Sequence, residues 1–242
     1  MTVRRFFASP EQFDDRSVTL DAEETRHLRD VLRLKPGDEV KVFDGEGREF
    51  RCSIADVQKK ASTLEVIQEI APIAPESRLE IHLAASAYKN DKLDLVVQKA
   101  VELGVARLSP IVTARGEVRL VDAAKRTDRW RKIAMEATKQ CERAKVMLVD
   151  ETRDFENFVE TVDRGSGLLL IFSEKGGDKL PASSPEKITA LIGPKGGWED
   201  SEIEFASERG FVPVKLGRRI MKAETAAITF AALLQHRFGD LA

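Results

Sequence analysis

Two glycine-rich segments near the carboxyl end of the chain have the residue types that bind a small ligand through the backbone. Residues 193–197 read Gly-Pro-Lys-Gly-Gly and follow a predicted strand. Residues 217–222 read Gly-Arg-Arg-Ile-Met-Lys and follow a second one, and a helix is expected after each segment. Glycine permits positive φ and a close approach of ligand to backbone, and a helix N-terminus offers free N–H groups. These segments, with a third candidate at residues 173–177, predict a pocket of backbone hydrogen-bond donors.

The residues of the pocket do not by themselves identify its ligand. The chain has no GxxxxGK[ST] phosphate-binding loop, and no GxGxxG sequence opens a helix after the first strand of an α/β unit. Residues 45–47, Gly-Glu-Gly, are better explained as a hairpin turn. A structural alternative stays open, in which the glycines serve only to end strands and cap helices.

The elements that would position these loops alternate between buried strands and amphipathic helices. Such alternation is typical of an α/β fold with a mostly parallel sheet, and in such sheets ligands bind at the carboxyl ends of the strands. The predicted strands are 79–85, 108–112, 146–149, 167–172, 188–192 and 212–215. The predicted helices are 91–103, 122–143, 155–162, 200–209 and 224–238.

The N-terminal part of the chain has a different pattern, with short strands rich in β-branched and aromatic residues. Asp21 followed by Glu24 indicates a capping box at the start of one helix. The sequence Ala-Pro-Ile-Ala-Pro at residues 71–75 is typical of a stiff linker. We therefore predict a small β-barrel-like domain over 1–72 and an α/β domain over 73–242. The predicted N-terminal strands are 4–8, 18–20, 39–43, 49–56 and 63–70.

The charge distribution predicts local rather than global contact with a polyanion. The net charge is −2, yet residues 115–145 hold ten Lys and Arg against five Asp and Glu, and residues 215–222 hold four basic residues and no acidic one. Solvated helix faces are the alternative explanation. Two distant cysteines and no long apolar run favour a protein of the reducing cytoplasm without a membrane span. The three histidines are scattered, so no metal site is expected.

The segment from residue 191 to 234 resembles the SPOUT class of methyltransferases, and more narrowly the ribosomal RNA small subunit methyltransferase E family. The matching residues are Gly193-Pro194-Lys195-Gly196-Gly197-Trp198, Glu202, Gly210-Phe211 and the run from Leu216 to Ala226. Further matches lie at His27-Leu28, Lys92-Leu93-Asp94, 98–104, Glu136, Gln140-Cys141 and Arg143. Lys195, Lys222 and Ala223 depart from the family's usual Glu, Arg and Thr. The resemblance covers essentially the whole chain.

This resemblance implies an α/β fold of the SPOUT type, whose carboxyl-terminal chain threads a trefoil knot, preceded by a PUA-like β-barrel domain. It also implies S-adenosylmethionine as the cofactor and N3 of a specific uridine in 16S ribosomal RNA as the methyl acceptor. The residues expected to bind the cofactor are Ile192, Gly193, Pro194, Lys195, Gly196, Gly197, Leu216, Gly217, Arg219, Ile220, Met221, Thr225 and Ala226.

Three residues beside the second glycine segment suit the methyl transfer. Arg219 and Lys222 would stabilise the negative charge that develops on the uracil. Glu224 would orient Arg219 or the base, or accept the N3 proton; capping of the following helix is its structural alternative. The residues expected to bind RNA through phosphates and other contacts are Arg4, Arg5, His27, Arg29, Arg33, Arg115, Arg119, Arg126 and Arg129, with Arg131 in the same basic helix.

The resemblance further implies a homodimer and a substrate that is either 16S ribosomal RNA or the assembled small ribosomal subunit. Residues 224–238 would form the apolar helix of the dimer interface or of the subunit's own core. Two other functions remain open from the sequence. One is a different RNA methylation on the same fold, at a ribose 2′-O or a guanosine N1. The other is a non-catalytic RNA-binding assembly factor.

Overall fold

Two hydrophobic cores form in this chain, and each belongs to a separate unit. The computed structural model describes residues 4–88, 91–163, 165, 167–177, 179–182 and 184–241. One unit comprises the chain up to Glu76 together with Thr138–Val146, and the other comprises Ser77–Ala137 and the chain from Met147 onwards. The first unit thus includes a segment from the middle of the chain that the composition did not indicate.

The first unit is built on a five-stranded sheet, which matches the predicted N-terminal strands closely. Its strands are β1 (Arg5–Phe7), β2 (Ser17–Leu20), β3 (Glu39–Phe43), β4 (Glu49–Val57) and β5 (Ser62–Ile70). They pair in the order β1-β3-β4-β5-β2, with β1 parallel to β3 and the other pairs antiparallel. Alternate residues such as Val40, Cys52 and Leu64 are fully buried in its core, as period-two alternation requires.

The predicted helix after β2 is short, and only the Asp21 half of its predicted capping box forms. Helix α1 (Ala22–Arg26) continues into a π-helical turn, His27–Val31. The Asp21 carboxylate accepts hydrogen bonds from the amides of Glu23 and Glu24. Glu24 does not complete a capping box, because its buried side chain pairs with Lys139 instead. A carboxylate that is removed from water needs such a cationic partner, and this one lies far along the sequence.

The second unit contains a parallel sheet, as predicted. Its strands are β6 (Glu80–Ser86), β7 (Arg107–Val112), β8 (Leu148–Val149), β9 (Arg153–Asp154), β10 (Leu168–Phe172), β11 (Lys187–Ile192) and β12 (Val212–Val214). They follow the order β12-β10-β11-β6-β7-β8, and β9 pairs with β7. The central strands are buried on both faces, which explains their continuous apolar sequences.

The helices of the second unit follow the predictions with one exception. They are α2 (Lys92–Glu102), α3 (Leu120–Ala124), α4 (Thr127–Gln140), α5 (Phe155–Thr161), α6 (Asp200–Glu208) and α7 (Ala223–Phe238); the last three residues of α4 belong to the first unit. The predicted helix over 122–143 is wrong as a single element, because it breaks between α3 and α4 and ends at Gln140. At the break, Arg126 donates a hydrogen bond to the Tyr88 carbonyl at 2.8 Å. The sequence around Arg126 does not indicate that the Tyr88 carbonyl lies near it.

Because β10, β11 and β12 are parallel neighbours, the loops that follow them emerge at the same edge of the sheet. Helix α7 begins beside these loops and packs against α2, β6 and β11. This arrangement brings together glycine segments that are separated in sequence. No helix within the described part of the chain is long and apolar enough to span a bilayer.

Candidate cofactor cleft

Three loops at the carboxyl edge of the parallel sheet enclose a cavity of about 280 Å³. We call it the cleft. The loops follow β10, β11 and β12, and the first turns of α7 complete the wall. The lining residues are 172–174, 192–198, 215–221, Ala223 and Ala226. The two glycine segments that the sequence predicted, and the third candidate loop, therefore do meet around one cavity.

The glycines of the β11 loop are required by close approaches, not only by strand ends. A Cβ atom at Gly193 would lie 2.9 Å from the ring of Trp198. Gly197 has a φ of +71°, and a Cβ there would lie 2.2 Å from Oε1 of Glu174. The ring of Trp198 is buried and cannot move aside for a Cβ at residue 193, whereas at residue 197 the Glu174 side chain can move and the positive φ is what disfavours an L-residue. The structural alternative for these glycines, strand ending alone, is therefore insufficient.

Buried aromatic residues fix the position of the β11 loop. The indole Nε1 of Trp198 donates a hydrogen bond to the Phe172 carbonyl at 2.8 Å, and its ring packs against Phe155 with centroids 5.3 Å apart. The Tyr88 hydroxyl donates to the Gly193 carbonyl at 3.4 Å. Burial, assisted by nearby Glu224, raises the pKa of Tyr88 far above its ordinary value, so the hydroxyl stays protonated and remains a donor.

Glu202 anchors the helix that follows the same loop. This buried carboxylate accepts hydrogen bonds from the amides of Ala114 and Glu199, both at 2.9 Å. The second bond forms part of a capping box at the start of α6, which satisfies donors that the helix leaves free. Its place in the family pattern thus has a structural explanation.

The β12 loop offers its backbone to the cleft. The amides of residues 217–221 form no hydrogen bond with another described residue. Gly217 has a φ of +67°, and Ile220 is 86 % exposed at the cleft. Free amides beside an exposed apolar side chain are typical of a site that a ligand covers, since unpaired backbone donors and bare apolar surface are both unfavourable.

Most of the residues predicted to bind the cofactor line this cavity. Thr225 is the exception, because it is exposed on α7 and is not part of the wall. Ile220 lines the cleft but lies at its surface, not within an apolar slot. Lys195 is exposed at the tip of the β11 loop, where the departure from the family's Glu places a positive charge.

The three predicted catalytic residues occupy different positions. Arg219 lines the cleft, whereas Lys222 is the exposed N-cap residue of α7 and does not. Glu224 lies in the first turn of α7 and pairs with Lys92 at 3.2 Å rather than with Arg219. Burial alone would raise the pKa of Glu224, but a backbone hydrogen bond, Lys92 and Lys222 together lower it. A lowered pKa makes Glu224 a weak proton acceptor.

The arginines predicted to bind RNA from the second unit mostly have acidic partners. Arg129 pairs with Asp91 at 3.0 Å and also with Asp94. Arg126 lies 3.8 Å from Asp94. Arg115 lies 3.6 Å from Glu199, and its guanidinium also reaches the Gly196 carbonyl at 3.4 Å. Arg119 pairs with Asp122 at 3.0 Å, and Arg131 pairs with Asp128 and Glu151. These charges are already compensated within the unit.

In the first unit the predicted RNA-binding residues divide into exposed and internal ones. Arg4, His27 and Arg33 are exposed, and Arg33 has a positive φ of 55°. Arg29 pairs with Asp30. The Arg5 side chain is only 9 % exposed, binds Glu49 at 3.0 Å and donates to a carbonyl of the same unit, so its contact with RNA stays a prediction. In this structure Arg5 links parts of the first unit to one another.

Two groups of residues at the cleft were not predicted as functional. Glu174, in the third candidate loop, supplies a carboxylate to the wall, and the glycines that follow it were the signal that could have identified it. Tyr88 and Lys92 contact Gly193 and Glu224 across 105 and 132 positions of sequence, a separation that a single sequence does not reveal.

Comparison with known families covers both units of the chain. A family model described as an RNA methyltransferase domain matches residues 75–235, and one described as an RNA methyltransferase PUA domain matches residues 20–67. Ribosomal RNA small subunit methyltransferase E of Synechocystis is 33% identical over 92% of this chain and 74% of its own length. The protein of that name from Bacillus subtilis is 31% identical over 88% of this chain and 87% of its own.

Solved structures agree in fold with these relatives. A ribosomal RNA small subunit methyltransferase E from Neisseria gonorrhoeae, bound to S-adenosyl methionine, has a TM-score of 0.89 at 33% identity and covers 99% of this chain and 100% of that one. A putative methyltransferase from Legionella pneumophila with bound SAM has a TM-score of 0.87 at 32% identity, with both chains fully covered. The α/β fold with a PUA-like unit is thereby confirmed. The chain belongs to the RNA methyltransferase family, within its ribosomal RNA small subunit methyltransferase E branch.

Proposed function

We propose that this protein transfers a methyl group from S-adenosylmethionine to N3 of a specific uridine in 16S ribosomal RNA. The observation that carries the proposal is the cleft, with its close-packed glycines and the free amides of residues 217–221. The solved relative from Neisseria gonorrhoeae, which binds S-adenosyl methionine, supports the same ligand. The family model supports RNA as the acceptor.

The residues of the cleft fit this cofactor. Backbone amides and carbonyls at residues 192–197 and 216–221 suit the polar edge of an adenine, and Leu216, Ile220 and Met221 offer apolar surface for its faces. Small ligands commonly bind in such concave sites, which combine apolar walls with a few polar groups. The bound cofactor supplies an electrophilic methyl group on its sulfonium.

The chain's own residues must favour the deprotonated uracil. Arg219 lies at the cleft and has no acidic partner among the described residues, so its charge is available to stabilise an anion at N3. Glu224 is held ionised by Lys92 and Lys222. We assign it to the orientation of the α7 end rather than to proton removal. Lys222, which is exposed beside it, suits a contact with the RNA.

The RNA strand would reach the cleft along its cationic rim. Lys195, Lys215 and Arg218 are exposed and, like Arg219, pair with no acidic residue in the described part of the chain. Such free cations suit phosphates, which position a strand without specifying its sequence. The target base must leave its stack before N3 is accessible. The exposed residues Arg4, His27 and Arg33 are candidates for further contacts.

Several features stay predictions alongside this activity. They are the trefoil threading of the carboxyl-terminal chain, the homodimer, a cytoplasmic location, and the choice between free 16S ribosomal RNA and the assembled small subunit. Helix α7 buries one face within its own unit, while Ile228 and Leu233 remain partly exposed. That second face supports the dimer, and mass measurement in solution tests it.

Two measurements test the proposed function. Calorimetry with S-adenosylmethionine should show binding; no binding at millimolar cofactor would leave only an RNA-binding assembly factor. Primer extension on 16S ribosomal RNA from a strain lacking this protein should show the loss of a strong stop, because an N3 methyl blocks base pairing. An unchanged stop pattern would instead favour methylation at a ribose 2′-O or another position.

Replacement of Arg219 tests its assigned role. In Arg219→Ala we expect methyl transfer to fall about a hundredfold or more, as on removal of a group that stabilises developing charge, while cofactor affinity changes little. Single-turnover methylation and calorimetry measure the two quantities. Arg237→Ala is the matched control, since it removes an exposed arginine charge from the last turn of α7, outside the cleft wall. Equal loss of transfer and of cofactor affinity in Arg219→Ala would contradict the role.

A further inference from the structure

Glu174 is the acidic residue of the cleft. Among the described residues that line the cavity, Lys195, Lys215, Arg218 and Arg219 carry positive charge, and Glu174 alone carries a negative one. Its carboxylate forms no ion pair or hydrogen bond with another described residue. The neighbouring Lys175 instead pairs with Asp200 at 2.6 Å. An acceptor that faces a cavity without a protein partner is available to a ligand.

The backbone beside Glu174 leaves room for its carboxylate at the wall of the cleft. Oε1 lies against Gly197, 2.2 Å from the position that a Cβ atom would take. A side chain at residue 197 would therefore displace the carboxylate. The β10 and β11 loops meet at this contact, so Glu174 belongs to the wall of the predicted cofactor site and not to its outer rim.

We propose that Glu174 accepts hydrogen bonds from the two adjacent ribose hydroxyls of S-adenosylmethionine. This inference rests on the proposed function, because it takes that cofactor as the ligand of the cleft. A carboxylate has two acceptor oxygens, and the ribose offers two neighbouring O–H donors. Hydrogen bonds to an ionised acceptor are shorter and stronger than neutral ones, so one residue would position the sugar.

The charges of the cleft favour the sugar over the amino-acid end of the cofactor. The methionine part of the cofactor carries a carboxylate and an ammonium group on the same carbon atom, and that carboxylate favours the side of the cleft where its cationic residues lie. A partner of that ammonium would lie beside those cations, whereas Glu174 pairs with none of them. An acceptor that forms no ion pair with these cations suits uncharged hydroxyl donors.

A ligand series measured by calorimetry tests this contact. We expect Glu174→Ala to weaken binding of S-adenosylmethionine, S-adenosylhomocysteine and 5′-methylthioadenosine by the same factor, about tenfold or more. All three share the ribose, and the last lacks the amino-acid part. Removal of the 2′-hydroxyl from 5′-methylthioadenosine should weaken binding to the wild type but not to the variant. Glu174→Gln, which keeps one acceptor, should show a smaller loss.

Asp200→Ala is the matched control, because it removes an exposed carboxylate beside the cleft that is not part of its wall. It should bind all the ligands as the wild type does. The thermal midpoint of Glu174→Ala should match that of the wild type, since the side chain is exposed and unpaired.

Three results would overturn the inference. One is unchanged affinity in Glu174→Ala. A second is a loss confined to ligands with the amino-acid part, which would assign Glu174 to the ammonium group. The third is lost methyl transfer with unchanged binding, which would make Glu174 a catalytic group. Failure of the wild type itself to bind S-adenosylmethionine would instead refute the proposed function, and the two failures are therefore distinct.

Discussion

Replacement of Gly197 by alanine separates backbone strain from displacement of Glu174. Gly197 and Gly217 have nearly equal positive φ angles, +71° and +67°. An L-residue in this region costs about 1–2 kcal/mol, and alanine recovers about 0.4–1 kcal/mol by restricting the unfolded chain. Both Gly197→Ala and Gly217→Ala should therefore lose about 1 kcal/mol of stability, which corresponds to a fall of about 2–4 °C in thermal midpoint.

The two variants differ in what the new methyl group meets. At Gly197 it would lie 2.2 Å from Oε1 of Glu174, whereas at Gly217 no heavy atom lies within 4 Å. The Glu174 side chain is exposed and can swing away, so its displacement should add little to the loss of stability. It should, however, remove the carboxylate from the cleft, and cofactor affinity should fall to the level of Glu174→Ala.

Scanning calorimetry measures the stability of these variants, and titration calorimetry measures their affinity for S-adenosylmethionine. When Gly197→Ala is combined with Glu174→Ala, the two losses of cofactor affinity should not add, because both changes remove the same contact. Additive losses would mean that Gly197→Ala blocks the cofactor directly. A fall in stability several kcal/mol larger than that of Gly217→Ala would mean that Glu174 is held rigidly, and would refute the picture of a free acceptor.

Three further predictions concern charges outside the cleft wall. Lys92→Met should raise the pKa of Glu224, which Lys92 now helps to lower, and carboxylate titration by NMR would measure the shift; an unchanged pKa would remove Lys92 as a cause. Burial, then Arg107, lowers the pKa of His82 from 6.5 to about 4, so the neutral form is favoured in the folded state. His82 alone should therefore contribute a loss of about 3 kcal/mol of stability as pH falls from 6.5 to about 4, and the stability of His82→Asn should fall less than that of the wild type across that range, as measured by denaturation. The side chain of Arg143 is 6 % exposed and is bound to Glu76; Glu76→Gln removes the negative charge of this largely buried pair and should lower the thermal midpoint of the first unit, and an unchanged midpoint would show the pair to be dispensable.

The long elements of the fold were predictable because their signals are local. The continuous apolar run of β11 and the apolar stripe of α2 predict which residues are buried, and the observed bounds of both elements differ from the predicted ones by a residue or so. Strand β9 was missed and β8 is only two residues long, because two residues cannot show a period. The helix predicted over 122–143 divides between α3 and α4, at Arg126, whose side chain donates to the distant Tyr88 carbonyl.

The loops of the cleft were predictable because glycine is favoured where the backbone has a positive φ. Gly197 and Gly217 adopt the positive φ angles that motivated the prediction. The side chains that complete the site were less accessible to sequence reasoning, since Lys92 and Glu224 are 132 positions apart. The partner of a charged residue cannot be identified from sequence when it lies far along the chain. The sequence therefore links the roles of Glu224 and Arg219, whereas in the structure Glu224 pairs with Lys92.

Two basic segments, residues 115–145 and 215–222, differ in whether the fold gives their charges acidic partners. Residues 115–145 have the larger excess of positive charge, yet the fold matches Arg129 with Asp94, Arg131 with Glu151, and Lys139 with Glu24. Residues 215–222 are shorter, but Lys215, Arg218 and Arg219 form no ion pair with an acidic side chain in the described ranges. A cation that contacts a phosphate releases counterions from the RNA, and a cation without an acidic partner is more available for that contact. The salt dependence of RNA affinity should therefore decrease more in Arg218→Ala than in Arg129→Ala, and the reverse order would place the RNA on the longer segment.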